Sequence, residues 1–176
     1  LELAMGDITN GFDEADIVIE REFTTETVHQ GYIETHIVTA QWGANGMVTV
    51  WTTTQGQFAI RDQLALVLEI PMSAITVIPL EIGGGFGGKD SIYIDPLAVV
   101  LSKQSGRPVK MVMNRAETLR ATGPSSGTYI KARLGVKTDG TLVAAEFHGA
   151  YAAGAYSGGP AAPGVLTALH RYTLPN

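Results

Sequence analysis

The 176-residue chain carries 12 Lys+Arg against 17 Asp+Glu, a net charge of −5, with 45% hydrophobic and 16% charged residues. That balance belongs to a folded, core-bearing chain of one domain, and it argues against disorder and against a nucleic-acid backbone as main partner. The absence of cysteine excludes disulfides, zinc–thiolate sites and cysteine-held iron–sulfur clusters, which fits a cytoplasmic protein. No apolar run reaches the roughly 18 residues of a membrane-spanning helix.

The chain opens on Leu1-Glu2-Leu3 without an initiator Met or a basic leader, and it stops at Pro175-Asn176. It reads as a fragment of a longer protein.

Residues 7–15 are polar and read as a lead-in loop. The runs 17–23 and 32–42 are rich in β-branched residues and read as strands. Asn45-Gly46 signals a hairpin turn into a returning strand over 47–54. From Gln57 the apolar period becomes helical (Phe58, Ile60, Leu64, Leu66, Val67, Leu68), and Pro71 ends it. A strand follows over 75–80. Asp95-Pro96 then supplies an N-cap and a first-turn proline for a helix running to Gly106.

Residues 109–113 read as a short buried strand and 115–120 as a helical turn. The runs 129–136 and 142–151 form a hairpin across Thr138-Asp139-Gly140, and 165–170 read as a last short helix. Strands and helices interleave, with hairpins on either side of the middle. The fold class expected is therefore α+β: mixed and antiparallel strands with hairpins plus two main helices. Two subdomains are expected, one of about 7–55 with 122–176 and one of 56–121.

Between the strand at 75–80 and the second main helix lies Gly83-Gly84-Gly85-Phe86-Gly87-Gly88-Lys89-Asp90. So many glycines cost conformational entropy, and the usual return is backbone N–H groups brought close to an anionic ligand. Two nucleotide motifs fit by letter. Gly83, Gly88 and Lys89 match a Walker A loop, but Asp90 stands where a Mg²⁺-binding Ser or Thr belongs. Gly83, Gly85 and Gly88 satisfy a dinucleotide fingerprint, but no acidic residue follows at the required distance and strands precede the loop.

Other residues carry weaker signals. Glu34 and His36 lie two apart on an expected strand and share a face; too few for a catalytic metal site, they read as a structural pair. His148, in an apolar strand, reads as a satisfied core histidine. The small-residue run 149–159 suits close packing.

Gln55 precedes Phe86 by 31 residues, and this Thr54-Gln55 to Gly-Gly-Gly-Phe-Gly-Gly-Lys spacing resembles the molybdenum-cofactor-binding subunit of the xanthine oxidase/aldehyde oxidoreductase (molybdenum hydroxylase) family. Further pieces agree in order along the chain. They are Gly11-Phe12 with Glu14-Ala15-Asp16, Tyr32-x-Glu34-Thr35-His36, Gly106-Arg107-Pro108-Val109, Asn114-Arg115-x-Glu117, Gly140-Thr141-Leu142-Val143-Ala144 and Tyr172-x-x-Pro175-Asn176.

The resemblance implies a large-subunit portion that oxidises an aldehyde, an N-heterocycle or a similar small molecule with oxygen from water. It implies a molybdenum-pterin cofactor (molybdopterin or its cytosine dinucleotide form), with iron–sulfur and flavin groups only on partner subunits or domains. Neither nucleic acid nor membrane is an expected partner. Gln55, Gly85, Phe86 and Gly87 would lie at the cofactor, with Gln55 and Phe86 beside the metal rather than ligating it. Phe86 and Asp90 would line the substrate pocket.

Asp90 replaces the family's Glu, and no Arg lies between Arg133 and Arg171; both point away from a purine substrate. The family's general-base Glu falls downstream of residue 176, so the fragment alone is expected to be inactive. Two alternatives stand beside this reading: a phosphate- or nucleotide-binding domain built on the same loop, and a non-catalytic structural domain of the same fold.

Overall fold

The computed structural model describes residues 2–155, 161–170 and 172–175. In chain order the elements are α1 (Ile8–Asp13), β1 (Ile17–Thr25), β2 (Ile37–Trp42), β3 (Val48–Thr52), α2 (Gln57–Leu68), β4 (Ile75–Pro79) and α3 (Asp95–Ser105). They continue with β5 (Val109–Val112), α4 (Arg115–Ala121), β6 (Thr128–Val136), β7 (Leu142–Tyr151) and α5 (Ala161–Ala168). The expected α+β class is what the chain adopts. No helix among the described residues is long and apolar enough to cross a membrane.

The elements fall into two compact units, Leu1–Val28 with Ser126–Asn176, and His29–Ser125. This division departs from the sequence grouping of 7–55 with 122–176. β2 and β3 hydrogen-bond to β4 and β5, so residues 29–55 go with the middle of the chain.

In the middle unit the sheet order is β4-β3-β2-β5. β3 alternates cleanly, burying Val48, Val50 and Thr52, and β2 buries Val38 and Ala40 across from it, with Ala40 opposite Val50. Val38, Ala40, Val48 and Val50 meet Ile60 and Leu64 of α2 and Ala98 and Val99 of α3 in one cluster closed by Ile75, Ile94 and Met113. Each fully buried aliphatic side chain contributes roughly 1.5–3 kcal/mol, so this layer of helices on a sheet is the main stabilising feature of the unit. α2 has two faces: Ile60 and Leu64 are buried, whereas Phe58, Leu66 and Val67 from the same apolar list are exposed.

The β3/β4 pair is parallel, Thr52 facing Pro79 at its far end, with α2 as the crossover. Parallel neighbours end on the same side of a sheet. Gln55 therefore leaves the end of β3 beside the place where the glycine loop leaves the end of β4.

The end unit is a β1-β6-β7 antiparallel sheet with β1 on its edge, interrupted by an irregularity at Gly135/Val136. Its hairpin spans the predicted Thr138-Asp139-Gly140 turn, and α1 and α5 pack on β7.

Several expectations need correction. Residues 7–15 are not a loop: Asp7 caps α1, its carboxylate accepting from the Asn10 N–H at 3.1 Å, a signal carried by the cap rather than by an apolar period. Tyr32 to His36 precede β2 rather than extending it, because their backbone is spent elsewhere: Glu34 N–H on the Gly83 carbonyl, and the Tyr32 and Ile33 carbonyls on Arg115.

Ile94, not Asp95, holds the cap position of α3; Asp95 is its first helical residue and accepts from the Tyr93 N–H. β5 lies at the sheet edge with Val112 55% exposed, so it is not a buried strand. His148 is exposed on β7, opposite Lys131, and is no core histidine. The last helix begins at Ala161 rather than 165. Residues 156–159 of the small-residue run, and Asn176 of the closing motif, lie outside the described residues.

Candidate functional site: the glycine loop and Gln55

The loop 83–90 is held from two sides. On the β3 side, the Gln55 side-chain carbonyl Oε1 accepts from the N–H of Gly87 at 3.0 Å and of Lys89 at 3.3 Å. The Gln55 N–H and the Thr54 hydroxyl both donate to the Lys89 carbonyl, at 3.1 Å and 2.9 Å. Gln55 is therefore not the cap of α2: the Thr54 hydroxyl receives the Gly56 N–H, and Gly56 at the cap position has no side-chain bond. With Oε1 occupied twice, the amide of Gln55 is fixed in orientation and presents Nε2, which has no acceptor among the described residues.

A side chain at position 85 would displace the Gln55 amide. A Cβ there would stand 2.4 Å from Gln55 Oε1, inside any real contact distance. Within the loop, Gly88 N–H closes a turn on the Gly85 carbonyl at 2.8 Å. The N–H groups of Gly84, Gly85 and Phe86 have no acceptor among the described residues.

Phe86 has φ +52 and is 73% exposed. A bulky residue in the left-handed region costs of order 1–3 kcal/mol, and burial of its ring does not offset that here. Phe86 is therefore no core anchor for the loop.

On the other side, one oxygen of Glu34, Oε2, accepts from Lys89 Nζ at 2.6 Å and from the Gly83 N–H at 2.9 Å. Lys89 is 1% exposed, with its ammonium 5.1 Å from the centre of the Tyr32 ring. Burial raises the Glu34 carboxyl, but the hydrogen bonds from Lys89 and Gly83 outweigh it and hold the group below its ordinary value. Behind this pair the Tyr32 hydroxyl and His36 Nε2 share a 2.7 Å hydrogen bond, and His36 packs edge-on to Tyr93. Burial above all, then the charges of Lys89 and His29, push His36 down to about 4. Glu34 and His36 thus part company: one serves the loop and the other serves Tyr32.

Lys89 so placed cannot reach a phosphate, which removes the Walker A reading. Asp90 is exposed beside the loop and does not pair with Lys89; its Oδ1 lies 3.7 Å from where a Gly56 Cβ would be, at the opening of α2. Its carbonyl is held by Gln63 Nε2 at 3.1 Å, while Gln63 Oε1 accepts from the Ile92 N–H. The helical period of α2 gives no sign of this clamp. Glu34 and Tyr32 are legible in the sequence only as motif letters, since their partners lie far along the chain.

Among the described residues no group of three or more His, Asp or Glu could hold a metal ion. The loop offers instead a neutral set of donors: three backbone N–H groups and one side-chain amide. That set suits oxo ligands of a metal held through its own organic ligand, because it donates without adding charge.

The family model of the molybdopterin cofactor-binding domain matches residues 1–176. A probable xanthine dehydrogenase subunit of Bacillus subtilis is 33% identical over 174 residues, 97% of this chain and 23% of that protein. The nicotinate dehydrogenase large molybdopterin subunit of Eubacterium barkeri is 29% identical over 177 residues, 99% of this chain and 42% of that protein. Among solved structures, the aldehyde oxidoreductase from Desulfovibrio gigas aligns with a TM-score of 0.69 at 25% identity, over 84% of this chain and 16% of that one. The CO dehydrogenase from Oligotropha carboxidovorans aligns with a TM-score of 0.62 at 33% identity, over 82% of this chain and 19% of that one. The chain thus spans less than half the length of these relatives, and with its whole length matched it belongs to the molybdopterin cofactor-binding domain family.

Proposed function

We propose that this chain forms one wall of the active site of a molybdenum-dependent oxidoreductase that oxidises an aldehyde, an N-heterocycle or a similar small molecule. The observation that carries the proposal is the Gln55 amide, fixed by Gly87 and Lys89, with Nε2 and the nearby N–H groups of Gly84, Gly85 and Phe86 all lacking an acceptor among the described residues. When bound, the molybdenum-pterin group supplies the two-electron oxidation and the transfer of oxygen from water.

This chain's residues do the rest of the work at that wall. Gln55 Nε2 and the N–H groups of Gly84, Gly85 and Phe86 would donate toward the oxygen ligands of the bound group and orient them, whereas the Gly87 N–H is spent on fixing the Gln55 amide. The exposed Phe86 ring shapes the substrate pocket and excludes water from one side. Asp90, on the solvent side of the loop, accepts a polar substrate edge. Its carboxylate is one methylene shorter than a Glu, which goes with a substrate other than a purine. Iron–sulfur and flavin partner subunits or domains take the electrons.

The full-length protein carrying this domain should contain molybdenum, read by elemental analysis, and Gln55→Ala should lower its turnover about a hundredfold or more. A full-length protein without molybdenum, or unchanged turnover in that variant, overturns the reading.

A further inference from the structure

We propose that Glu34 is a positioning residue for the reactive part of the glycine loop, a single carboxylate oxygen closing the loop at both ends; this rests on the site reading above. Glu34 Oε2 takes Gly83 N–H at 2.9 Å where the loop begins and Lys89 Nζ at 2.6 Å where it ends. The Glu34 N–H also donates to the Gly83 carbonyl at 3.1 Å, so the first loop residue is gripped on both sides of its peptide.

The clamp is itself held. Arg115, the first residue of α4, donates to the carbonyls of Tyr32 and Ile33, the two residues before Glu34. Lys89 has no exposed side-chain surface and lies over the Tyr32 ring, so its ammonium has no route to water as a substitute partner.

Between the anchors, the Gly84, Gly85 and Phe86 N–H groups meet no acceptor among the described residues, and Phe86 holds a left-handed conformation in the open. Inside that segment the turn of Gly88 N–H on the Gly85 carbonyl is local and leaves Gly84 to Phe86 untied to the rest of the fold. A glycine-rich stretch left to itself spreads over many backbone states, so its geometry is inherited from Glu34 and Lys89 on one side and Gln55 on the other. A buried ion pair adds little stability over a neutral, well-packed replacement; what this one supplies is a fixed distance between the two ends of the loop. Positioning of a reacting group matters steeply, with about 1 Å of misplacement costing on the order of a hundredfold in rate.

The test uses the full-length enzyme with Glu34→Asp, Glu34→Gln, Lys89→Met and the double variant Glu34→Gln/Lys89→Met. Molybdenum content, amide hydrogen exchange of a peptide spanning 83–90, and kcat and KM are measured. The double variant leaves no charge buried, so it should keep its molybdenum while exchange in 83–90 speeds up at least tenfold and kcat falls about tenfold to a hundredfold. Glu34→Asp keeps the charge for Lys89 but retreats from Gly83, and should show the same changes in smaller measure with Lys89 still buried. Wild-type exchange and kcat in the double variant, or in Glu34→Asp, would overturn the assignment and leave the pair a packing feature. A parent protein without molybdenum would remove the site reading alone, since the exchange of 83–90 still decides whether Glu34 closes the loop.

Discussion

Gln55 occupies the space that a side chain at Gly85 would need: a Cβ at position 85 would lie 2.4 Å from Oε1 and 2.6 Å from Cδ of Gln55. Gly85→Ala therefore forces the amide out of its seat. The exposed Gln55 can swing into solvent, so the fold survives, but the bonds to Gly87 and Lys89 are lost. The expected result is a loss of about 1–3 kcal/mol in stability, measured by denaturant unfolding. In the cofactor-loaded parent, kcat should fall by at least about tenfold, as for any misplaced active-site group.

Gln55→Glu separates the structural task of this residue from its chemical one. A carboxylate still accepts from Gly87 and Lys89, so stability should stay within about 1 kcal/mol of the original. The outward donor is replaced by an acceptor carrying negative charge, and turnover should drop about a hundredfold to a thousandfold. Similar turnover in Gln55→Glu and the unaltered protein would show that Nε2 donates to nothing that reacts.

Phe86 offers a comparison between two truncations. With the ring 73% exposed and φ at +52, the side chain contributes little burial and its backbone is strained. Phe86→Gly should be more stable than Phe86→Ala by about 1 kcal/mol, because glycine alone is relaxed at positive φ. Thermal unfolding of the two variants checks the order. Both should lose activity through the missing pocket wall, so stability and activity should diverge.

His36 sets a pH dependence. It is pushed down from 6.5 to about 4, chiefly by burial, while the unfolded chain protonates near the ordinary value. The unfolded state therefore binds the extra proton first as pH falls. The stabilisation from neutral His36 is complete above pH 6.5 and is lost progressively down to about 4. The full swing is of order 3 kcal/mol. His29 is lowered by burial and by Arg115 and adds a slope of the same sign, while Glu34, also lowered, adds its own loss only below its ordinary 4.5. His36→Gln should flatten, without abolishing, the fall in denaturant midpoint between pH 6.5 and 4.

Much of the architecture is legible in the order of the residues. β3 announces itself by alternation and α2 by its period and the proline after it, because burial on one face leaves a mark at each second or each third-to-fourth residue. The hairpin at 138–140 is written in its turn residues. α1 escapes that logic, since six residues with a single buried glycine carry no apolar stripe, and only the Asp7 cap betrays it. Tyr32 to His36 look like strand by composition, yet their hydrogen bonds go to the loop and to Arg115, which no local pattern records.

Local chemistry along the chain was enough to mark most strands and helices, the glycine-crowded loop leading into α3, and Thr54-Gln55 at a telling distance before it. What those pieces do to one another came from the packed fold. The parallel pairing of β3 with β4 brings Gln55 against the loop, and the packing leaves Phe86 outside. It also gives Lys89 to Glu34, 55 residues away, rather than to its neighbour Asp90. The physical reason is that periodicity reports how deeply a residue is buried but not against whom. Partners for backbone edges and for buried charges are chosen by long-range geometry, and a charge cut off from water must find its counter-ion wherever the fold supplies one.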